Sequence, residues 1–145
     1  MNWLKPGVLV EKFRQNRPEE AKQLAAKPTR QRSGERAEQW AANWLIQQGC
    51  TVRERNYRCR HGEIDLIAEQ RGELIIVEVR YRGSGAAVDA ATSVDSHKQQ
   101  RLIAAASHFL SRNPDLAEQP LRFDVLALSG SLNRPETLWI QDAFQ

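Results

Sequence analysis

Two acidic residues carry the chemistry this sequence offers. In Gly62-Glu63-Ile64-Asp65-Leu66-Ile67 and Ile75-Ile76-Val77-Glu78-Val79-Arg80, charged residues interrupt otherwise apolar runs. Such runs, bounded by glycine, read as strands, and strand side chains alternate between faces. Ile64, Leu66 and Ala68 are expected on one face of the first strand, with Glu63, Asp65 and Ile67 on the other. On the second, Ile75, Val77 and Val79 share a face, and Ile76, Glu78 and Arg80 share the opposite one. A hairpin loop of even length centred on Arg71-Gly72 sets Asp65 opposite Glu78 and Glu63 opposite Arg80; an odd loop would flip the faces.

Directly opposed side chains begin ~5 Å apart. Two carboxylates at about 5 Å repel by roughly 3 kcal/mol at an effective dielectric of about 20. A bound divalent cation, a neighbouring Arg or Lys, or protonation of one acid would offset that repulsion. The first of these is the arrangement that phosphodiester cleavage needs. Mg²⁺ binds through one or two carboxylates plus waters and phosphate oxygens, neutralises the phosphate and activates water. Asp65 and Glu78 are the expected metal ligands, for Mg²⁺ or Mn²⁺, and Arg80 is the expected stabiliser of developing negative charge. The alternative is a solvated ion-pair ladder of Glu63, Asp65, Glu78 and Arg80. The runs Leu66-Ile67 and Ile75-Ile76-Val77 are too apolar for a sheet with one wet face, which favours the site.

The elements that must hold these residues follow from periodicity. Ser33 is the expected N-cap of a helix whose Ala37, Trp40, Ala41, Trp44 and Leu45 form one apolar stripe, ended by Gly49. Thr51–Tyr57, Glu63–Glu69 and Glu73–Tyr81 read as strands, the last two joined through Gln70-Arg71-Gly72. Gly83, Ser84 and Gly85 open a flexible loop running to about Thr92. Asp95–Arg112 reads as a second helix, followed by Pro114, and Leu121–Leu128 and Thr137–Gln141 as late strands. This order predicts an α/β fold, a central mixed sheet flanked by helices. On the second helix Lys98, Arg101, His108 and Arg112 lie opposite Leu102, Ile103, Ala106 and Phe109. That face could track phosphates or be simply solvated. Arg122 and Asp124 are expected to support the acidic cluster by pairing with it, and Trp139 and Phe144 to pack.

Charge is distributed unevenly. Met1–Arg32 holds eight Lys/Arg against three Asp/Glu, whereas the rest holds thirteen against fifteen. The expected organisation is a basic, flexible segment at 1–32, with a short helix near Glu19–Ala26, and a domain at 33–145. A basic tail adds sequence-independent phosphate affinity or merely solubility. No apolar run approaches the ~20 residues of a membrane span, and no secretory leader is apparent, so a cytoplasmic protein without membrane contact is expected. Cys50 and Cys59 are then expected as free thiols, and Cys59 with His61 lacks the four-ligand spacing of a zinc site.

Gly62-Glu63-Ile64-Asp65-Leu66-Ile67 followed by Val77-Glu78-Val79-Arg80-Tyr81-Arg82 resembles the YraN family of bacterial proteins. Ser93-Val94 with Lys98, Arg101 and Leu102, and Arg122-Phe123-Asp124-Val125, extend the resemblance from about Gly34 to the C-terminus. That family is grouped with the PD-(D/E)XK nucleases, which include restriction enzymes and junction resolvases. The resemblance implies a restriction-endonuclease-like three-layer sandwich and a metal-dependent endonuclease acting on or binding DNA, including branched DNA. It implies Asp65 and Glu78 as metal ligands, assisted by the Val79 carbonyl, and a helix carboxylate, for which Glu38 at the edge of the apolar stripe is chosen over Glu35. Arg82, Lys98 and Arg101 are the expected nucleic-acid contacts, and a junction substrate would want a homodimer. Arg80 stands where the superfamily carries lysine. It stays protonated and cannot act as a general base, so a non-catalytic nucleic-acid-binding module and a protein-interaction domain remain as alternatives.

Overall fold

The computed structural model describes residues 29–87 and 94–145. The expected basic segment up to residue 28, its helix near Glu19–Ala26, and residues 88–93 of the glycine-led loop lie outside these. In chain order the described elements are helix α1 (Thr29–Gln47), strands β1 (Thr51–Cys59), β2 (Gly62–Gln70) and β3 (Glu73–Arg82), helix α2 (Ser96–Arg112), a 3₁₀ turn (Pro114–Leu116), and strands β4 (Leu121–Ser129) and β5 (Glu136–Phe144). Residues Glu35–Gln145 form one compact unit.

The sheet order is β1-β2-β3-β4-β5. Consecutive strands pair antiparallel except β3 and β4, which run parallel. A parallel pair needs a long crossover, and α2 lies within that connection. Helix α1 covers one face: Ala37, Ala41 and Leu45 pack on Leu66, Ala68, Ile75 and Val77. Helix α2 covers the other: Leu102, Ala105, Ala106 and Phe109 pack on Ile64, Ile67, Leu74 and Ile76. The fold is thus an α/β three-layer sandwich with a central mixed sheet, as the element order predicts.

Local chemistry explains the element boundaries. The β2–β3 loop is Arg71-Gly72 alone, since Gln70 pairs with Glu73. Both loop residues take positive φ, 53° and 75°, the backbone of a type I′ hairpin that suits glycine. An even loop fixes the register anticipated from sequence: Leu66 faces Val77 and Ile67 faces Ile76. Asp95 caps α2, its Oδ1 accepting the Lys98 N–H at 2.8 Å.

Two expectations are corrected. Helix α1 starts at Thr29, so Ser33 is not its N-cap; the Ser33 hydroxyl donates to the Thr29 carbonyl at 3.0 Å, one helical turn back. Ile64 does not share a face with Leu66 and Ala68 but packs with Ile67 on the α2 side. The strict alternation of β2 therefore breaks beside Asp65.

Candidate active site

The β2–β3 ladder runs from Gln70↔Glu73 to Leu66↔Val77 and stops one position short of Asp65 and Glu78. There a side chain replaces the ladder: Asp65 Oδ2 accepts the Val79 backbone N–H at 2.8 Å. The strands open where the acids sit, and α2 brings Lys98, Arg101 and Leu102 across the opening. Glu63, Asp65 and Glu78 form the other wall of the resulting pocket, about 240 Å³ in volume.

Glu78 is 3 % exposed, and its Oε1 lies 2.5 Å from Lys98 Nζ and 3.4 Å from an Arg80 guanidinium nitrogen. Asp65 is more weakly compensated. Burial, and then the neighbouring Glu78 charge, push its carboxyl up to about 8, with Glu38 adding to the rise and the Val79 N–H opposing it. At neutral pH Asp65 is therefore mostly protonated and hydrogen-bonded to Glu78. Two of the three compensations anticipated from sequence operate together, an ammonium on one acid and a proton on the other. Their summed charge equals that of one divalent ion.

A third carboxylate joins from α1. Glu38 is half-buried and hydrogen-bonded to Asp65 and Asn56. Burial, then the charge of Glu63, raise its pKa above the usual carboxylate value. Three acids from three elements thus meet at the opened strand end, so Glu38 is placed with the pair.

The remaining expected residues divide. Glu63 is on the pocket wall but pairs with Arg58 at 3.5 Å, whereas Arg80 pairs with Glu78. Arg101 lines the pocket, and Arg82 lies exposed at the end of β3, outside the lining. Arg122 and Asp124 do not pair with the acidic cluster, which corrects the expectation. Asp124 is in register with Val77, whose side chain belongs to the α1 face. Its oxygens accept from Arg122 Nε at 3.0 and 3.2 Å, Trp139 Nε1 at 2.9 Å and the Asp142 N–H at 2.9 Å. Arg122 also reaches Glu73 at 2.8 Å and lies 5.8 Å over the Trp139 ring. His108, expected on the cationic face, bonds instead to the Tyr57 hydroxyl.

Asn56 was missed. It has φ 52°, left-handed backbone in mid-strand, and hydrogen-bonds Glu38. Asparagine tolerates that backbone better than most residues. Its poor strand propensity inside Thr51–Tyr57 was the available signal.

These acids are hard oxygen donors of the kind Mg²⁺ or Mn²⁺ prefers. They carry more negative charge than Lys98 and Arg80 neutralise without a proton, so Asp65 and Glu78 fit a divalent ion. Glu38 is near enough to Asp65 to act on the same site.

Fold and pocket together define a class: an α/β sandwich whose opened central hairpin holds buried acids against a capped helix. Within that class the chain belongs to the family described as "Uncharacterised protein family UPF0102", whose profile matches residues 37–128. This is the YraN family to which the sequence motifs pointed. The chain is 45% identical over 117 residues to a UPF0102 protein of Nitrosococcus oceani, covering 81% of this chain and 94% of the relative. It is 45% identical over 117 residues to one from Alcanivorax borkumensis (80% and 94%) and 44% identical over 125 residues to one from Pseudomonas putida (83% and 98%). No helix among the described residues is long and apolar enough to cross a membrane.

Proposed function

We propose that this protein is a metal-dependent, restriction-endonuclease-like phosphodiesterase acting on DNA. The observation that carries the reading is the buried Asp65–Glu78 pair, held at the opened end of a hairpin, with a proton on Asp65 and with Lys98 and Arg80 beside Glu78. Asp65 and Glu78 are the ligands for Mg²⁺ or Mn²⁺, which when bound would supply phosphate neutralisation and a more acidic water. Glu38 accepts a proton from the attacking water, because its raised pKa brings it nearer neutrality than an exposed carboxylate. Arg80 remains charged and holds Glu78 in place rather than acting as a base. Lys98 and Arg101 face the approaching phosphate, and exposed Arg82 contacts the flanking strand. The reading extends to branched DNA, a homodimer supplying two sites, and a cytoplasmic location.

A second reading, a nucleic-acid-binding module without hydrolysis, is favoured by Arg80 alone. One assay separates them. Labelled duplex, single-stranded and four-way-junction DNA are incubated with Mg²⁺ or Mn²⁺ and either the wild type or Asp65→Asn. Metal-dependent cutting by the wild type, lost in the variant, is expected. Binding without cutting would favour the module, and neither would leave the acids as a purely structural ion-pair cluster.

A further inference from the structure

The Lys98–Glu78 contact raises a question that the proposed chemistry alone does not answer. Glu78 Oε1 is already occupied by the Lys98 ammonium, at 2.5 Å, with Arg80 behind it at 3.4 Å. A small divalent ion binds carboxylate oxygen at about 2.0–2.1 Å. An ion on that oxygen and an ammonium at hydrogen-bond distance from it would be two cations in contact.

The two partners differ in how freely they move. Glu78 is 3 % exposed and set in the middle of β3. Lys98 is 39 % exposed at its side chain, and its flexible four-carbon stem is the adjustable part. Its backbone does not move with it, because the Asp95 cap holds the Lys98 N–H at 2.8 Å. Any displacement is therefore a swing of the stem about a fixed helix start. Arg101 and Leu102, on the same helix, line the same pocket, so a displaced ammonium stays at the mouth through which an anionic substrate enters.

We propose that Lys98 is a tethered counter-cation of the metal-free site, which competes with a divalent ion for Glu78 and turns toward the substrate phosphate when the ion binds. This rests on the metal-dependent reading above and adds a residue that sets metal affinity and links metal entry to phosphate capture. In the metal-free protein the buried Glu78 thereby keeps a close cation in addition to the more distant Arg80.

The test is a Mn²⁺ titration of the full-length protein by calorimetry, without nucleic acid, so that binding and not turnover is read. Four proteins are compared: the wild type, Lys98→Met, Lys98→Arg, and Arg101→Gln, which removes one positive charge from the same pocket without a contact to Glu78. Lys98→Met is expected to bind Mn²⁺ about tenfold more tightly than the wild type, with Lys98→Arg and Arg101→Gln within about twofold. Thermal melts of each establish that all four are folded. Equal or weaker binding by Lys98→Met overturns the proposal while leaving the metal reading intact, as does an equal gain from Arg101→Gln. Mn²⁺ binding by Lys98→Met alone supports it. If neither wild type nor Lys98→Met binds Mn²⁺, the metal reading fails, and this proposal with it.

Discussion

Two acid–arginine clusters are built on the same sheet, one on the α1 face and one at the opened end of β2 and β3, and they serve different ends. On the α1 face, Asp124 is enclosed by donors: Arg122, the Trp139 indole and the Asp142 N–H. Burial works against the Arg122 charge, yet Asp124 and Glu73 together raise its pKa. At the strand opening, Asp65 has one backbone donor and two carboxylate neighbours, and its pKa rises to about 8. In the first cluster the carboxylate is fully paired, and Arg122 leaves one buried guanidinium nitrogen without a hydrogen-bond partner. The second is short of positive charge, which is what the proposed cation exchange requires. In sequence the two look alike, Arg-Phe-Asp-Val beside Glu-Ile-Asp-Leu, and only the facing donors distinguish them.

The largest expected contrast is in stability. Asp124→Ala strips the buried Arg122 of its main partner and should destabilise the protein by about 3–5 kcal/mol in chemical denaturation. A loss under about 1 kcal/mol would mean that the α1-face cluster contributes no more than an exposed ion pair. Asp65→Asn should act in the opposite direction. Wild-type Asp65 is protonated in the fold up to about pH 8 but ionises at about 3.8 when unfolded. The folded state then binds more protons, so its contribution is full below about pH 4 and is lost as pH rises to about 8. The asparagine variant lacks that loss and should be about 1–2 kcal/mol more stable than wild type near pH 8, with the advantage shrinking toward pH 4. Melting curves across this range that stay parallel would contradict the picture of Asp65. The smallest effect belongs to the frame: Asp95→Ala removes the α2 cap and should cost about 1 kcal/mol in thermal unfolding, without altering the stability contributed by the α1-face cluster.

Much of this arrangement was readable from residue order. The two-residue turn at Arg71-Gly72 fixed the register that brings Asp65 near Glu78, because pairing parity decides which face each side chain takes. The stripe Ala37–Leu45 and the apolar face Leu102–Phe109 located both helices, although Ser33 misled as a cap because its hydroxyl bonds within the helix. What could not be read was tertiary. Ile64 escapes the alternation because β2 breaks its regular pattern beside Asp65. The faces of Arg122 and Asp124 depend on the parallel register of β4 against β3, which local periodicity does not encode. Asn56 reached Glu38 through a left-handed backbone that no spacing rule anticipates. Arg80, expected at the centre of the site, shares Glu78 with Lys98, a residue 20 positions away along the chain.

The most direct test of the central claim counts protons. Mn²⁺ is titrated into the wild-type protein near pH 7 in two buffers of different ionisation enthalpy. If the ion takes the place now held in part by the proton on Asp65, about one proton is released per ion bound, and Asp65→Asn releases none. Binding with no proton release, or no binding at all, would contradict the account.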